Sequence, residues 1–283
     1  MKLPPLKFAA PRSVADACRM LADDEDAKAM AGGQSLVPLL AIRLAAPSTV
    51  VDLGRIPDLA GIDLIGDRVR IGALATHQDV ISSPVVREHA PFLVDAGRHI
   101  AHTAIRNRGT IGGSIAHGDG AAEWPLALLT LSGEVEAESV RGRRRIPADE
   151  LFVAPFSTAL EPDEIITDVW VPTRPMRWGF GEFTRRKGDY GLAMVGVALD
   201  VESGRCLTAR VVLGAAVSTA QRSEAAETAL VGAEITPETA QAAGAAAAEA
   251  APVISDLHGS ENYRRHLIAA LVERTIIEAG GRK

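Results

Sequence analysis

The chain has 283 residues, of which 47% are hydrophobic and 23% charged, and its formal net charge is −6. This composition excludes disordered and fibrous proteins, and no apolar run reaches the ~18 residues that a membrane-spanning helix needs. The mildly acidic balance argues against a protein whose main partner is nucleic acid, and the length fits two domains.

Two further features narrow the class of protein. The proline-broken start of the chain is too short an apolar run for a signal peptide, so we expect a cytoplasmic protein. Cys18 and Cys206 lie far apart in unrelated patterns, so cysteines alone cannot hold an iron–sulfur cluster or a zinc ion on this chain. We therefore expect neither a structural disulfide nor a metal site here.

Residues 1–175 alternate short strands with helices and glycine-rich turns. Ser13 has the pattern of a helix N-cap, because an acidic residue follows three positions later and apolar residues then recur at helical spacing. Gly66-Asp67 separates two alternating runs within 61–73, which indicates a β-hairpin. The other patterns predict a strand at 28–31, helices at 35–44, 85–99 and 123–131, a glycine-rich turn at 109–113 and a second hairpin at 135–146.

The stretch Pro-Thr-Arg-Pro at 172–175 is the predicted boundary between two domains, 1–175 and 176–283. Beyond it we expect three strands, at 178–185, 194–201 and 206–215, and then helices at 223–230, 237–250 and 260–279. The alanine-rich stretch has high helix propensity, so it is predicted to be a packed helix rather than a linker. The predicted fold class is α+β, with a C-terminal antiparallel sheet and a helical bundle.

Two glycine-rich stretches carry the clearest functional signal. We call residues 31–35 (AGGQS) the first glycine segment and residues 106–114 (RNRGTIGGS) the second glycine segment. Glycine lets a phosphate approach backbone N–H groups, and a helix start, expected after the first segment, supplies unsatisfied donors. A tight turn between packed elements is the alternative for either segment alone. Two similar segments favour a ligand with two phosphates, and neither matches a Rossmann or P-loop motif.

Five stretches resemble the FAD-binding (medium) subunits of the molybdenum hydroxylases, the family of xanthine dehydrogenase and aerobic carbon monoxide dehydrogenase. The resemblance covers nearly the whole chain and implies a PCMH-type FAD-binding domain of two subdomains, about 1–55 and 56–175, with FAD between them. The stretches are AGGQSLVPLLAIRLA (31–45), IGALATHQDV (71–80), IRNRGTIGGSIAHGDGAAEWP (105–125), RRKGDYGLA (185–193) and SDLHGSENYRRHL (255–267).

The resemblance also implies which residues bind FAD, and it implies no catalytic residue on this chain. Ile100 falls at an apolar contact to the adenine end, and Glu123 at an acidic residue, usually Asp, that hydrogen-bonds FAD. Tyr190 would shield one face of the flavin ring; a surface turn with the aromatic ring packed between the domains is the alternative. The pyrophosphate would be held by Ala29, Met30, Ala31, Gly32, Gly33, Gln34, Ser35 and Leu36, and by Thr110, Ile111, Gly112, Gly113 and Ser114.

A role in electron transfer within a larger enzyme is the functional implication. A large partner subunit would carry a molybdopterin-type cofactor, and a small partner subunit two [2Fe–2S] clusters that reduce FAD on this chain. FAD would then reduce an external acceptor. We expect a heterotrimer or its dimer, with an N-heterocycle as substrate. Two alternatives stay open: a stand-alone flavin dehydrogenase with its own substrate pocket, and a non-enzymatic FAD-binding module.

Two polar clusters have simple explanations. His99, His102 and His117 have no carboxylate partner at ligand spacing, so we expect polar loop contacts rather than a metal site. Arg141 and the arginines at 143–145 flank a hairpin turn. We expect these arginines to form a solvated turn that faces acidic residues of a partner subunit.

Overall fold

A computed structural model describes residues 3–173 and 176–282. The strands of the described residues are β1 (Lys7–Ala9), β2 (Lys28–Met30), β3 (Thr49–Asp52), β4 (Ile62–Ile65), β5 (Arg68–Gly72), β6 (Glu134–Ser139), β7 (Gly142–Pro147), β8 (Phe152–Ala154), β9 (Ser157–Thr158), β10 (Ile165–Pro172), β11 (Arg177–Thr184), β12 (Gly191–Glu202), β13 (Arg205–Gly214) and β14 (Gln221–Arg222).

Helices connect and cover these strands. They are α1 (Val14–Ala22), α2 (Leu36–Ala41), α3 (His77–Ser82), α4 (Pro84–His89), α5 (Pro91–Gly97), α6 (Thr103–Arg106), α7 (Ile111–His117), α8 (Glu123–Thr130), α9 (Ala148–Leu151), α10 (Glu224–Leu230), α11 (Pro237–Ala250) and α12 (Glu261–Gly281). None of them is long and apolar enough to cross a membrane, as far as the described part of the chain goes.

The first sheet is parallel and has the order β1-β3-β2. Its middle strand pairs with both neighbours, Val50 opposite Phe8 and Val51 opposite Ala29. Helix α1 covers this sheet, and it begins where the sequence predicts, because the Ser13 side chain accepts the Asp16 N–H at 3.1 Å. The chain continues from the end of β2 directly into the first glycine segment.

The second sheet is antiparallel, with the order β4-β5-β10-β6-β7. It contains both predicted hairpins, β4–β5 and β6–β7. Its central strand, β10, is buried along almost its whole length and is absent from the strands that the sequence patterns predict. Helices α3 to α8 lie between β5 and β6 in the chain and pack with this sheet into one hydrophobic core.

The third sheet, β11-β12-β13-β14, is antiparallel and lies in the C-terminal part of the chain. Helices α10, α11 and α12 cover one face of it, and their apolar residues form a second core with β12 and β13. The predicted α+β class and the C-terminal sheet with its helical bundle are confirmed. The predicted boundaries at 55 and 175 stay predictions, and the second of them falls on residue 175, outside the described residues.

Three local predictions differ from the structure. The helix predicted at 35–44 ends at Ala41, and the one at 85–99 is two helices separated at Ala90, because Pro91 starts a new helix there. The predicted turn at 109–113 is largely a helix start, since α7 begins at Ile111 and contains both glycines of the sequence Gly112-Gly113. Both glycine segments, and not only the first, therefore lead into helices.

The arginines of the second hairpin pair with acidic residues of this same chain, contrary to the expectation of acids on a partner. Arg143 and Arg145, alternate residues of β7, lie opposite Glu138 and Glu136 of β6, so that opposite charges face each other across the strands. The pairs are Arg143–Glu138 at 2.7 Å, Arg145–Glu134 at 2.8 Å, Arg144–Glu164 at 2.7 Å and Arg141–Asp163 at 2.6 Å.

Candidate functional site

A cleft of about 590 Å³ lies between the two N-terminal sheets and extends to the turn before β12. Its walls come from the end of β2, the start of α2, helix α7, the start of α8 and the turn at 188–190. This volume is within the ordinary range of small-molecule and cofactor sites.

Fifteen of the sixteen residues predicted to bind FAD line this one cleft. The exception is Ile111, whose side chain is 1% exposed and packs into the core. The lining residues are Ala29, Met30, Ala31, Gly32, Gly33, Gln34, Ser35, Leu36, Ile100, Thr110, Gly112, Gly113, Ser114, Glu123 and Tyr190. Their individual contacts to FAD stay predictions.

The first glycine segment presents free backbone donors to the cleft. Five consecutive N–H groups, from Gly32 to Leu36, have no hydrogen-bond acceptor among the described residues. Gly33 adopts a φ of +72°, a left-handed conformation that favours glycine. The side chain of Gln34 donates back to the Gly32 carbonyl at 3.3 Å, which leaves the N–H groups themselves available. A run of free N–H groups lining a cleft fits a phosphate ligand.

In the second glycine segment, most backbone N–H groups already donate hydrogen bonds to other groups of this chain. The N–H of Ile111 donates to the Ala75 carbonyl and that of Gly112 to the Ala73 carbonyl, both at 3.0 Å. The N–H of Gly113 donates to the Thr110 hydroxyl oxygen at 3.2 Å. Of its backbone donors, only the N–H of Thr110 has no acceptor among the described residues, so this segment offers the cleft that one N–H, the hydroxyl groups of Thr110 and Ser114, and the surface of its glycines.

The two segments touch each other. A Cβ at Gly32 would lie 2.0 Å from the Arg108 carbonyl oxygen, and one at Gly113 would lie 3.3 Å from the Cβ of Ala31. Packing between the two segments thus requires glycine at position 32. The first segment therefore fits both explanations given for it, a tight turn between packed elements and a phosphate-binding site. The contact fixes the free donors of one segment beside the hydroxyl groups of the other.

Acidic and phenolic groups gather at the end of the cleft near the turn at 188–190. Burial in the cleft wall, with the negative charges of Glu182 and Asp119, raises the pKa of Glu123 to about 8. Glu123 is therefore protonated at neutral pH, and its carboxyl can donate a hydrogen bond. Tyr190 is 71% exposed, and desolvation together with the charges of Asp119 and Glu123 raises its pKa.

Ile100 approaches this same end. It lies two residues before His102, whose ring would be 2.3 Å from a Cβ at Gly188. The turn that carries Tyr190 thus packs on the loop that follows Ile100. The prediction that Ile100 contacts the adenine end and Tyr190 the flavin ring stays a prediction.

His77 is a cleft residue that the sequence analysis missed. Its Nδ1 accepts a hydrogen bond from Trp124 Nε1 at 2.8 Å, and burial lowers its pKa to about 4. The ring is therefore neutral, with its hydrogen on Nε2, beside Gly109. The available signal was Thr76 followed by Asp79, which form a capping box that starts α3.

The three histidines singled out by sequence make separate contacts. His99 Nδ1 lies 2.9 Å from Glu182 Oε2, His102 packs against Gly188, and the ring of His117 lies 5.2 Å from that of Phe156. Across residues 3–173 and 176–282, no group of three or more His, Cys, Asp or Glu residues is arranged to hold a metal ion.

Comparison with known proteins identifies the family. Residues 4–174 match the family described as the FAD binding domain in molybdopterin dehydrogenase, and residues 178–279 match the CO dehydrogenase flavoprotein C-terminal domain. The chain belongs to the FAD-binding subunits of the molybdenum hydroxylases. The family match therefore makes residues 4–174 an FAD-binding domain, and the resemblance seen in the sequence is confirmed.

Full-length relatives agree with this assignment of the flavin subunit. The nicotine 6-hydroxylase medium subunit of Paenarthrobacter nicotinovorans is 55% identical over 282 residues, which covers 100% of both chains. The carbon monoxide dehydrogenase medium chain of Hydrogenophaga pseudoflava is 35% identical over 282 residues, covering 99% of this chain and 98% of that one. Quinoline 2-oxidoreductase from Pseudomonas putida 86 has a TM-score of 0.96 at 40% identity, covering 99% and 98% of the two chains.

The residues of the cleft fit FAD. The free N–H groups of the first glycine segment match the negative charge of a pyrophosphate, and Thr110 and Ser114, which carry hydroxyl groups, line the same cleft. The protonated carboxyl of Glu123 and the phenol of Tyr190 offer donors at one end. Apolar side chains such as Leu53 and Ile105 line other parts of the cleft and suit the ring systems of the cofactor.

Proposed function

We propose that this flavin subunit carries electrons from the [2Fe–2S] clusters of a small partner subunit, through FAD, to an external acceptor. The large partner subunit would hold the molybdopterin-type cofactor and hydroxylate the substrate. The observation that carries the proposal is a cleft whose donors suit a pyrophosphate in a chain that matches flavin subunits along its whole length.

The residues of this chain would bind and orient the cofactor rather than react with the substrate. The N–H groups from Gly32 to Leu36 would hold the pyrophosphate, and Ser114 would add a hydroxyl donor. FAD supplies a group that accepts single electrons from clusters and releases them singly or in pairs. The close packing of Gly32 on the Arg108 carbonyl would hold the two segments at a fixed separation around the pyrophosphate.

Tyr190 would control access to the flavin ring. It lies in the turn that begins with the hydrogen bond from the Asp189 N–H to the Arg186 carbonyl, at 3.0 Å. Its side chain lines the cleft although it is largely exposed, as expected for a residue at an entrance. An acceptor that reaches the flavin from this side would have to pass it.

The substrate of the complex would be an N-heterocycle of the nicotine or quinoline class. The relative at 55% identity is named for nicotine, and a structure at 40% identity is that of a quinoline oxidoreductase. The carbon monoxide dehydrogenase medium chain is 35% identical. Since the substrate would bind on the large subunit, this part of the proposal depends on relatedness rather than on the cleft.

The test is anaerobic substrate addition to the complex that co-purifies with this chain. We expect nicotine or quinoline to bleach the flavin absorbance when the large and small subunits are present, and carbon monoxide to leave it unchanged. The same substrates added to this chain alone, loaded with FAD, should cause no bleaching.

Each alternative function has a different outcome. Substrate turnover by the isolated chain would establish a stand-alone flavin dehydrogenase and overturn the electron-transfer role. A flavin that stays oxidised in the complete complex, while the molybdenum centre is reduced, would indicate a non-enzymatic FAD-binding module. Bleaching by carbon monoxide alone would overturn the assignment of the substrate class.

A further inference from the structure

The stretch 255–267 is one of the five that resemble the family, yet it takes no part in the cleft. The structure describes all of its residues, and none of them lines the cleft. The stretch contains a turn, residues 256–259, closed by an isolated β-bridge between Asp256 and Gly259, and then the start of α12. Leu257 in this turn is 100% exposed. FAD binding therefore does not explain this part of the chain.

Hydrogen bonds hold the 256–259 turn in place. The carboxylate of Asp256 accepts the N–H groups of His258 at 2.8 Å and of Gly259 at 3.1 Å. Its other oxygen pairs at 2.6 Å with Arg264, a buried arginine that also donates to the Leu192 carbonyl at 2.9 Å. The exposed leucine of the turn is thus presented by a braced backbone, which loses little conformational entropy when a partner binds.

Two aromatic side chains extend this apolar surface. Phe183, near the end of β11, is 37% exposed, and Tyr263, in the first turn of α12, is 42% exposed. Their rings meet edge to face with 6.3 Å between centroids. Gly259 lies beside this pair, because a Cβ on it would be 3.5 Å from Cδ1 of Tyr263. We call Leu257, Tyr263 and Phe183 the apolar patch.

A basic turn borders the apolar patch. Residues 185–187 (Arg-Arg-Lys), which we call the basic turn, begin two positions after Phe183, and all three are exposed. Within residues 3–173 and 176–282, no carboxylate lies within 4 Å of their charged groups, unlike Arg265, which pairs with Glu261. Asp189 is the one acidic residue of the sequence 185–190, so three positive charges and one negative give +2, on a chain whose total is −6.

The basic turn leads directly to the entrance of the cleft. Tyr190 lines the cleft three positions after it, and the 256–259 turn packs on Leu192, since a Cβ at Gly259 would lie 3.2 Å from Cδ2 of Leu192. Asp119 also lines the cleft, and even with it the basic residues are in excess. The proposed function sends electrons past Tyr190, so a protein that rests on the apolar patch would lie beside the route of the electrons.

We propose that the apolar patch and the basic turn form the docking surface for an acidic protein that accepts electrons from this subunit. This inference rests on the proposed function. Aromatic residues and arginine are enriched at protein interfaces, and unpaired cations select a partner with acidic groups and speed its approach. A small anionic acceptor would need the basic turn but not the apolar patch. A membrane surface would extend over the acidic remainder of the chain, whereas an acidic protein contacts the patch alone.

The test uses the complete complex that contains this chain, reduced with dithionite, freed of excess reductant and mixed with a haem protein in a stopped-flow spectrophotometer. The probes are the soluble domain of cytochrome b5, which is acidic, and cytochrome c, which is basic. Each takes one electron as its iron changes from Fe(III) to Fe(II), so each reduced flavin can reduce two cytochromes and releases two protons to water. Cytochrome b5 should react faster than cytochrome c at low salt, and about tenfold more slowly at high salt than at low salt.

Two variants separate the apolar patch from the basic turn. Leu257→Ser removes an exposed side chain that packs on nothing in the fold, and it should slow the reaction with cytochrome b5 by about tenfold at every salt concentration. The triple variant Arg185→Gln, Arg186→Gln, Lys187→Gln should slow it by about tenfold at low salt and remove most of its salt dependence.

Matched controls lie at the other end of the third sheet. Leu207 is 47% exposed and Arg205 is exposed, both in the part of β13 that pairs with the last residues of β12. Leu207→Ser and Arg205→Gln should leave the rate with cytochrome b5 unchanged. Benzoquinone, a small neutral acceptor that needs no docking surface, should reoxidise the flavin of every variant at the wild-type rate.

The outcomes distinguish this proposal from the proposed function. A wild-type complex without FAD, or with a flavin that no acceptor reoxidises, contradicts the proposed function itself. If benzoquinone reoxidises the flavin but Leu257→Ser and the triple variant react with cytochrome b5 as the wild type does, or if cytochrome c reacts faster, the docking surface is wrong.

Hydroxyl-radical footprinting and vesicle binding test the other occupants. Leu257 and Tyr263 should be labelled in the complex alone and protected when cytochrome b5 is added. Protection before any cytochrome is added would make the patch a contact between subunits of the complex and overturn the proposal. Binding to phosphatidylserine vesicles that Leu257→Ser abolishes, without an effect of this variant on cytochrome b5, would assign the surface to a membrane instead.

Discussion

The two glycine segments resemble each other in sequence and differ in how they use their backbone. The first, with the start of α2, leaves five consecutive N–H groups without an acceptor among the described residues, from Gly32 to Leu36. The second donates the N–H groups of residues 111–114 to Ala73, Ala75 and Thr110 and leaves only the N–H of Thr110 without one. The first segment therefore offers backbone N–H donors to a ligand, whereas most N–H groups of the second are used to hold that segment against its neighbours. A glycine pair in a sequence does not by itself tell which of these two uses it has.

The difference follows from what each segment packs against. The second segment runs beside residues 73–77, where Thr76 and Thr110 form an isolated β-bridge and the His77 N–H donates to the Gly109 carbonyl at 2.9 Å. The N–H groups of Ile111 and Gly112 and the carbonyl of Gly109 are satisfied by this neighbour. The first segment follows the parallel sheet and faces the cleft, so its donors stay free for a ligand.

Replacing the glycine where the segments meet is expected to have the largest effect. The Cβ of Gly32→Ala would overlap the Arg108 carbonyl oxygen, and overpacking of this kind costs about 1 to 3 kcal/mol. If that strain separates the segments, FAD affinity should fall by about tenfold or more. FAD titration followed by flavin fluorescence measures this, with urea unfolding of the apo chain alongside.

Gly281→Ala is the control for Gly32→Ala. Gly281 is the last residue of α12, and a Cβ there would meet nothing within 4 Å. Its FAD affinity and unfolding should match the wild type. An equal affinity in Gly32→Ala would show that the contact between the two segments does not shape the phosphate site.

His77 tests how the second segment is supported, with an intermediate effect. The folded state keeps its pKa near 4, below the ordinary value of 6.5, so only the unfolded chain takes up this proton between those values. The free energy of unfolding should therefore fall as the pH drops from 6.5 to 4, by up to about 3 kcal/mol. Urea unfolding at intervals of pH measures the slope.

Two substitutions separate the charge of His77 from its hydrogen bond. His77→Gln can still accept from Trp124 Nε1 but cannot titrate, so its difference from wild type should shrink or reverse toward pH 4. His77→Phe leaves the buried indole N–H unpaired and should lose about 1 to 3 kcal/mol at every pH. A wild-type slope that persists in His77→Gln would assign the acid sensitivity to other groups.

Local signals were readable from the sequence, and long-range ones were not. The Ser13 cap and the hairpin at Gly66-Asp67 depend on neighbours a few residues away, and both are as predicted. Strand β10 was missed because Thr167 and Asp168 interrupt its apolar run; Asp168 is tolerated there since Arg70, from β5, reaches it at 2.6 Å. Such a partner lies about a hundred residues away in the chain, so the hydrophobic periodicity around Asp168 gives no sign of it.

The candidate FAD site was likewise predictable only where its residues carry a local sequence signal. The glycine segments were found because glycine has a local conformational meaning, and α7 was missed because two glycines lower helix propensity. In the structure, the Thr110 cap starts that helix and the close approach of Gly112 to Ala73 requires glycine in it. His77 lies inside the quoted stretch 71–80, but only the fold shows that it lines the cleft.

The smallest expected effect distinguishes the two hydroxyl groups that begin the two helices. The Thr110 side chain accepts the Gly113 N–H at the start of α7, whereas the Ser35 side chain makes no capping bond to α2. Thr110→Ala should therefore lower the free energy of unfolding by about 1 kcal/mol, and Thr110→Ser should restore it. Ser35→Ala should stay within about 0.5 kcal/mol of wild type.

For FAD affinity the two alanine variants should be similar, since each removes one hydroxyl donor, worth about 1 kcal/mol or roughly fivefold in affinity. Equal losses of stability at both positions would mean that the first segment is as self-supporting as the second, and that its free N–H groups are not reserved for a ligand.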